Sequence, residues 1–335
     1  MPRSAAALHA AVVAFALALT ALAAPVAAPA ATFAPPASQV LTGLSGGYDL
    51  SPFAGQVGKK PGVLGVFVVW GRLGEYVFRS PQAAGTGLMI HISTTDGYGA
   101  PEQITPGGIA RGAGDDYLLR LNRRIAAYGR PTYVRFLAEM NQVNNAYAAF
   151  NRDGSGRGPD HSTAAFKAAW RRATLILRGG PVDAVNARLA RLHLPPVRGA
   201  GAGETLPPAP VAMAWVPQTR GTPDIAANMP ARYWPGARYV DWVGTDFYSR
   251  FPRFDWLTQF YDRFKGKPFV FGEWALWGGD DPGFVRDLFR WINARPRVKL
   301  VLYNQGFQTD GPFRLNQYPR SRAELRRQLA RTRFR

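Results

Sequence analysis

The sequence contains no cysteine, which excludes disulfides and thiolate metal sites. Histidine is also scarce. Past the N-terminal stretch only His91, His161 and His193 remain, and no His-Glu-x-x-His pair occurs, so a catalytic metal is not expected. No Gly-x-Gly-x-x-Gly follows the first strand-like segments, and no Gly-x-x-x-x-Gly-Lys-Ser/Thr is present. Dinucleotide and P-loop chemistry are therefore not supported, and no cofactor is expected. Gly154-Ser155-Gly156 sits in a polar loop with no strand before it, so it does not read as a serine nucleophile elbow. Lysine is confined to Lys59, Lys60, Lys167, Lys265, Lys267 and Lys299. Beyond the N-terminus no apolar run is long enough to span a bilayer.

What is abundant is arginine and apolar surface. The formal net charge is +19 and 47% of the 335 residues are apolar, enough for one large core. The arginines are scattered except between Arg322 and Arg335, where Leu325, Leu329 and Phe334 recur near helical spacing. That segment reads as a helix with a solvated basic face, and nucleic acid is not an expected partner. Arg3 followed by the Ala/Leu-rich Ala5 to Ala24 and by Ala28-Pro29-Ala30 reads as a signal peptide over 1–31. Residues 32–39 read as a Pro/Ala-rich spacer. Export without cysteine suggests a bacterial envelope or extracellular protein with no membrane contact after cleavage, and a monomer is expected.

From Val40 onward strand-like and helix-like segments alternate. Strands are expected at Leu41 to Tyr48, Val63 to Trp70, Gly87 to Ser93, from Tyr133, at Val211 to Pro217, Tyr239 to Tyr248, Phe269 to Glu273 and Val298 to Asn304. Helices are expected at about 75–82, 115–128, 162–178, 254–264, 283–294 and 321–333, with 179–209 an irregular excursion. Eight such units predict one α/β domain over 40–335, a (β/α)8 barrel.

Two of the strands have the same design. Tyr133-Val134-Arg135-Phe136-Leu137-Ala138-Glu139-Met140-Asn141 starts apolar and ends in a carboxylate and an amide, and Phe269-Val270-Phe271-Gly272-Glu273 ends in a second carboxylate. Strand tips of one sign of chemistry on a parallel barrel point to its C-terminal rim. Two carboxylates meeting there are what glycoside cleavage requires, one as proton donor and one as nucleophile or base. Strict alternation puts Leu137, Arg135 and Tyr133 on the same side as Glu139, Phe271 and Phe269 with Glu273, and Asp246 with Tyr248. Arg135 and Asp246 are then a plausible buried ion pair.

These stretches, with Tyr233-Trp234-Pro235-Gly236 and Tyr239 to Tyr248 between them, resemble glycoside hydrolase family 26, the β-mannanase family. The resemblance implies a (β/α)8 barrel and a retaining mechanism. It also implies Glu139 as acid/base, Glu273 as nucleophile and Tyr248 as a hydrogen-bond partner of the nucleophile. Arg135, Asn141, His91, Trp215, Trp274, Trp277 and Tyr147 are the candidate contacts to a polysaccharide substrate, the indoles through stacking on sugar rings. Two positions depart from the family pattern. Its His before the acid/base is Ala138 here, and its Gly-x-Trp-Tyr is replaced by Gln142-Val143-Asn144-Asn145-Ala146-Tyr147. The expected function is a secreted β-glycanase. The alternative is a catalytically eroded barrel that only binds polysaccharide.

Overall fold

The computed structural model describes residues 32–335, so the predicted signal peptide lies outside the described residues. Eight strands form the centre: β1 Leu41–Ser45, β2 Val63–Val69, β3 Gly87–Ser93, β4 Thr132–Phe136, β5 Val211–Trp215, β6 Trp242–Tyr248, β7 Phe269–Ala275 and β8 Val298–Asn304. All pair in parallel, and β8 returns to β1, so the sheet closes in the order β1-β8-β7-β6-β5-β4-β3-β2. Around it run α1 Ser51–Val57, α2 Tyr76–Ala84, α3 Pro106–Ala110, α4 Asp115–Tyr128, α5 Thr163–Arg178, α6 Val182–Ala190, α7 Phe254–Arg263, α8 Pro282–Asn293 and α9 Pro319–Leu329. This is the (β/α)8 barrel expected from the alternation. No α-helix joins β5 to β6; three short 3-10 turns do so, the last at Ala237–Tyr239, which is why β6 starts at Trp242 instead of Tyr239. The excursion over 179–209 is less irregular than its Gly and Pro content suggests, because it contains α6.

Side chains alternate between two apolar layers. Those pointing outward from the strands pack under the helices, including Leu64, Val66, Ile90, Val134, Phe136, Met213, Trp215, Val243, Phe269, Phe271 and Val301. The inner set is smaller: Val63, Met89, Tyr133, Ala212, Ala214, Trp242, Val270, Leu300 and Leu302. Glycines on the inner face make room for the large members. A Cβ on Gly43 would lie 2.5 Å from Leu302, and one on Gly244 would lie 2.0 Å from the carbonyl oxygen of Val270.

The segment 32–39 is not a free spacer. It closes the barrel at the N-terminal ends of the strands, with Phe33 packed on the inner layer. Buried donors hold it there: Tyr133 Oη donates to Phe33 O at 2.8 Å, Trp242 Nε1 to Thr32 O at 2.6 Å and Lys299 Nζ to Pro36 O at 3.3 Å. Inner-face polar tips at the base of a barrel need partners, and the Pro-rich segment supplies carbonyls. The C-terminal residues are tied in nearby, where Arg335 N donates to Val40 O at 2.8 Å.

Gly244→Ala should cost about 3 kcal/mol or prevent folding, because the added carbon meets backbone that cannot give way. Gly55→Ala, in α1 with nothing within 4 Å, should be neutral or stabilising by up to ~1 kcal/mol. Urea unfolding of the two variants measures both.

Candidate active site

The two carboxylates reach the rim by different departures from regular strand. β4 stops at Phe136, and Leu137 and Glu139 then take left-handed backbone, with φ of 43° and 51°. Such residues cost about 1–2 kcal/mol each and concentrate at functional sites. Here they reverse the strand parity. Leu137 turns out into the helix-side core and Ala138 turns in, contrary to the strict alternation read from sequence. Leu137 N donates to Ile92 O and Glu139 N to Val216 O, so the segment bridges the tops of β3 and β5.

On β7 the device is a bulge. Phe271 pairs with Val301 and with Thr245, yet the next partners are Trp274 with Tyr303 and with Phe247, which leaves one extra residue on β7. Gly272 and Glu273 therefore both face the interior, and Phe269 and Phe271 face the helices, where both rings contact Trp291. The expected shared orientation of Phe269, Phe271 and Glu273 fails for this reason. Bulges re-aim side chains next to active sites in this way. Gly272 is required as glycine, since a Cβ would lie 2.8 Å from Arg135 Nε and 3.0 Å from Asp246 Oδ1.

Arg135 joins these elements. Its Nη1 donates to Glu273 Oε1 at 2.6 Å and to His91 Nδ1 at 2.9 Å, and its Nη2 donates to Asp246 Oδ2. The other oxygen of Glu273 accepts from Tyr248 Oη and from Asn304 Nδ2 at 2.7 Å. Glu273 thus faces only donors, as an acceptor-only carboxylate requires. Since arginine only donates, His91 Nδ1 must accept, which leaves the ring neutral with its proton on Nε2. Burial, reinforced by the Arg135 charge, holds the His91 pKa well below its ordinary value, consistent with that form.

One guanidinium cannot neutralise three buried carboxyls. Burial and the neighbouring Glu273 charge raise the pKa of Glu139. Burial raises that of Asp246 further, despite Arg135. Burial, then Glu273, raises that of Tyr248, which keeps its phenol a donor. The site therefore pairs a carboxyl whose pKa is raised with one held entirely by donors, the separation of roles that acid/base chemistry needs.

No protein-family model matches the chain, and no curated protein matches it by sequence. Solved structures do match. A modular endo-β-1,4-mannanase of glycoside hydrolase family 26 from Cellulomonas fimi superposes with a TM-score of 0.57 at 15% identity, over 89% of this chain and 72% of that one. GH26A from Muricauda sp. MAR_2010_75 gives 0.57 at 15% identity, over 89% and 91%. The catalytic domain of a GH26 endo-β-1,4-mannanase from Bacillus sp. JAMB-750 gives 0.56 at 12% identity, over 89% and 87%. The chain has the fold of the family 26 glycoside hydrolases.

On this barrel most residues expected to touch substrate do something else. Trp215 and Trp274 occupy outward positions of β5 and β7. Trp215 packs on Trp234, Phe260 and Phe264, and Trp274 on Phe289 and Tyr303, so both are core. Asn141 is fully buried and exchanges hydrogen bonds with the backbone of Gln218, which positions the loop beside Glu139. Tyr147 is buried, with its hydroxyl on Ala138 O at 2.7 Å, and Asn145 Nδ2 donates to Glu139 O at 2.8 Å; both brace the acid's backbone. His91 lies beneath Arg135, 3% exposed and stacked on Phe67. Arg135 is spent on its ion pairs. Trp277 alone of the expected contacts stays on the rim, half-buried, near-perpendicular to the Tyr248 ring at 5.7 Å and with Arg250 over its face at 5.0 Å. Asn304 and Gln218 were not anticipated. Asn304 could have been, because it ends an apolar strand in the same manner as Glu273.

A carboxyl whose pKa is raised on folding binds its proton more tightly in the native state. Its contribution to stability is present at low pH and is lost as pH rises through the folded value. Glu139→Gln removes that dependence. The melting temperature of the variant should exceed that of the parent by about 1–3 °C at pH 8 and by less at pH 4.5, as read by calorimetry. A difference that shrinks as pH rises would contradict the assignment.

Proposed function

We propose that the protein is a secreted glycosidase that cleaves a β-linked polysaccharide by double displacement. The observation that carries the reading is the difference between the two glutamates: Glu273 is surrounded by Arg135, Tyr248 and Asn304, and burial beside Glu273 raises the pKa of Glu139. Glu139 gives its proton to the glycosidic oxygen as Glu273 attacks the anomeric carbon. The C–O bond to the leaving sugar breaks, and a glycosyl ester forms on Glu273. Glu139, now ionised, takes a proton from water, whose oxygen attacks the same carbon and releases Glu273. Arg135 and Tyr248 hold the nucleophile in place through both steps. The mannanases of the same fold make β-mannan the first substrate to test.

In a screen of mannans, mixed-linkage glucans and xylans, the wild type should release reducing ends from one class. Glu273→Ala should abolish release, and Glu139→Gln should lower kcat by about 10²–10⁴. Because the raised pKa belongs to the proton donor, kcat/KM should fall as pH rises through it. Binding of a polysaccharide without any reducing-end release would replace the hydrolase with the binding-protein alternative that Ala138 and Ala146 motivate.

A further inference from the structure

Among the described residues five large aromatics are exposed: Tyr48, Tyr76, Tyr98, Phe251 and Phe307. Three of them form a continuous line, Phe307 and Tyr48 on the loops that follow β8 and β1 and Tyr76 at the start of α2. Phe307 is 57% exposed, Tyr48 41% and Tyr76 40%. The ring centres of Tyr48 and Phe307 are 6.5 Å apart, and those of Tyr48 and Tyr76 5.4 Å. The line continues inward. Phe307 meets Phe67 edge-on at 5.7 Å, and Phe67 stacks on His91 at 4.5 Å, the histidine against Arg135.

The backbone is shaped to hold these rings. Gly46 and Gly306 have φ of 82° and 64°, and a Cβ on Gly46 would lie 2.4 Å from Gly306 N, so two glycines let the loops after β1 and β8 lie back to back. Gly74 gives space to Tyr76, whose ring would sit 2.6 Å from an added Cβ. Asn304 couples the line to the carboxylates: its Nδ2 donates to Glu273, and its Oδ1 accepts from Gly306 N at 3.0 Å.

We propose that Phe307, Tyr48 and Tyr76 are a stacking platform for the part of a β-linked glycan chain that stays with the enzyme after cleavage. The inference rests on the glycosidase reading for its direction. Glu139 follows β4 and protonates the departing sugar, so the leaving part lies on that side. β8 is diametrically across the closed sheet from β4, and the retained part extends toward it, over Glu273 and Asn304. Half-exposed aromatic side chains, two of them phenols, fit a ring that presents C–H on its faces and hydroxyls at its edge. Continuity with the carboxylates favours a chain running out of the site over an unrelated partner. Only a chain longer than the residues seated at Glu273 reaches the platform.

The test uses Glu273→Gln, which keeps the shape of the site, with manno-, cello- and xylo-oligosaccharides of two to six residues, titrated calorimetrically. In that background Tyr48→Ala with Phe307→Ala should weaken hexasaccharide binding about tenfold or more and disaccharide binding far less. Tyr48→Trp with Phe307→Trp should retain long-chain affinity and show that the faces, not the fold, were lost. An equal loss at every length, no loss at any, or no binding of any glycan by the Glu273→Gln parent overturns the proposal. The two readings fail separately. Chain-length-dependent binding by a wild type that cleaves nothing refutes the hydrolase and leaves the platform, and cleavage with length-independent affinity does the reverse.

Discussion

The guanidinium of Arg135 is the constraint around which the upper half of the barrel is built. It is a buried cation on the inner face of β4, reached by Asp246 from β6, Glu273 from β7 and His91 from β3. An isolated charge there would be prohibitive, and an arginine stays charged. The carboxylates are therefore drawn to it, and their number exceeds what one positive charge can satisfy. The excess appears as raised pKa values of Glu139 and Asp246. Incomplete neutralisation inside a closed sheet is the electrostatic basis of the acid/base chemistry proposed for this site.

The rest of the architecture accommodates that charge. Inner positions of the strands are small wherever a large polar side chain must cross, as Gly272 does for Arg135 and Gly65 for His91; a Cβ on Gly65 would lie 2.8 Å from His91 Nε2. The opposite end of the barrel is sealed by Phe33 and its neighbours, which accept hydrogen bonds from Tyr133 and Trp242. Between plug and rim the interior is lined by the apolar inner layer, which limits solvent screening of the ionic cluster.

Much of this was legible in the sequence. The barrel strands coincide with apolar-rich runs bounded by Gly, Pro or a polar cap, and their alternation with helices fits a closed parallel sheet once the absence of Gly-rich phosphate motifs argues against an open one. Both glutamates were marked by their place at the end of such runs, and the Arg135–Asp246 ion pair followed from parity. Parity failed at Leu137 and at Phe269 and Phe271, where left-handed residues and a bulge shift the register, and no composition signal announces either. Trp215 and Trp274 misled because a strand-end indole serves equally well under a helix as over a cleft; only the face distinguishes them. The segment 32–39 has the composition of a linker, and its role as a plug depends on donors more than ninety residues away in sequence.

At 12–16% identity the solved relatives share the fold, and the chemistry rests on this chain's own charges. The most direct measurement is the mass of the protein, and of its peptides, after incubation with activated 2-deoxy-2-fluoro β-glycosides, which slow breakdown of any glycosyl ester. The account predicts one glycosyl group per chain, on the peptide carrying Glu273. A label on any other side chain, or turnover of the reagent with Glu273 left unmodified, would contradict it.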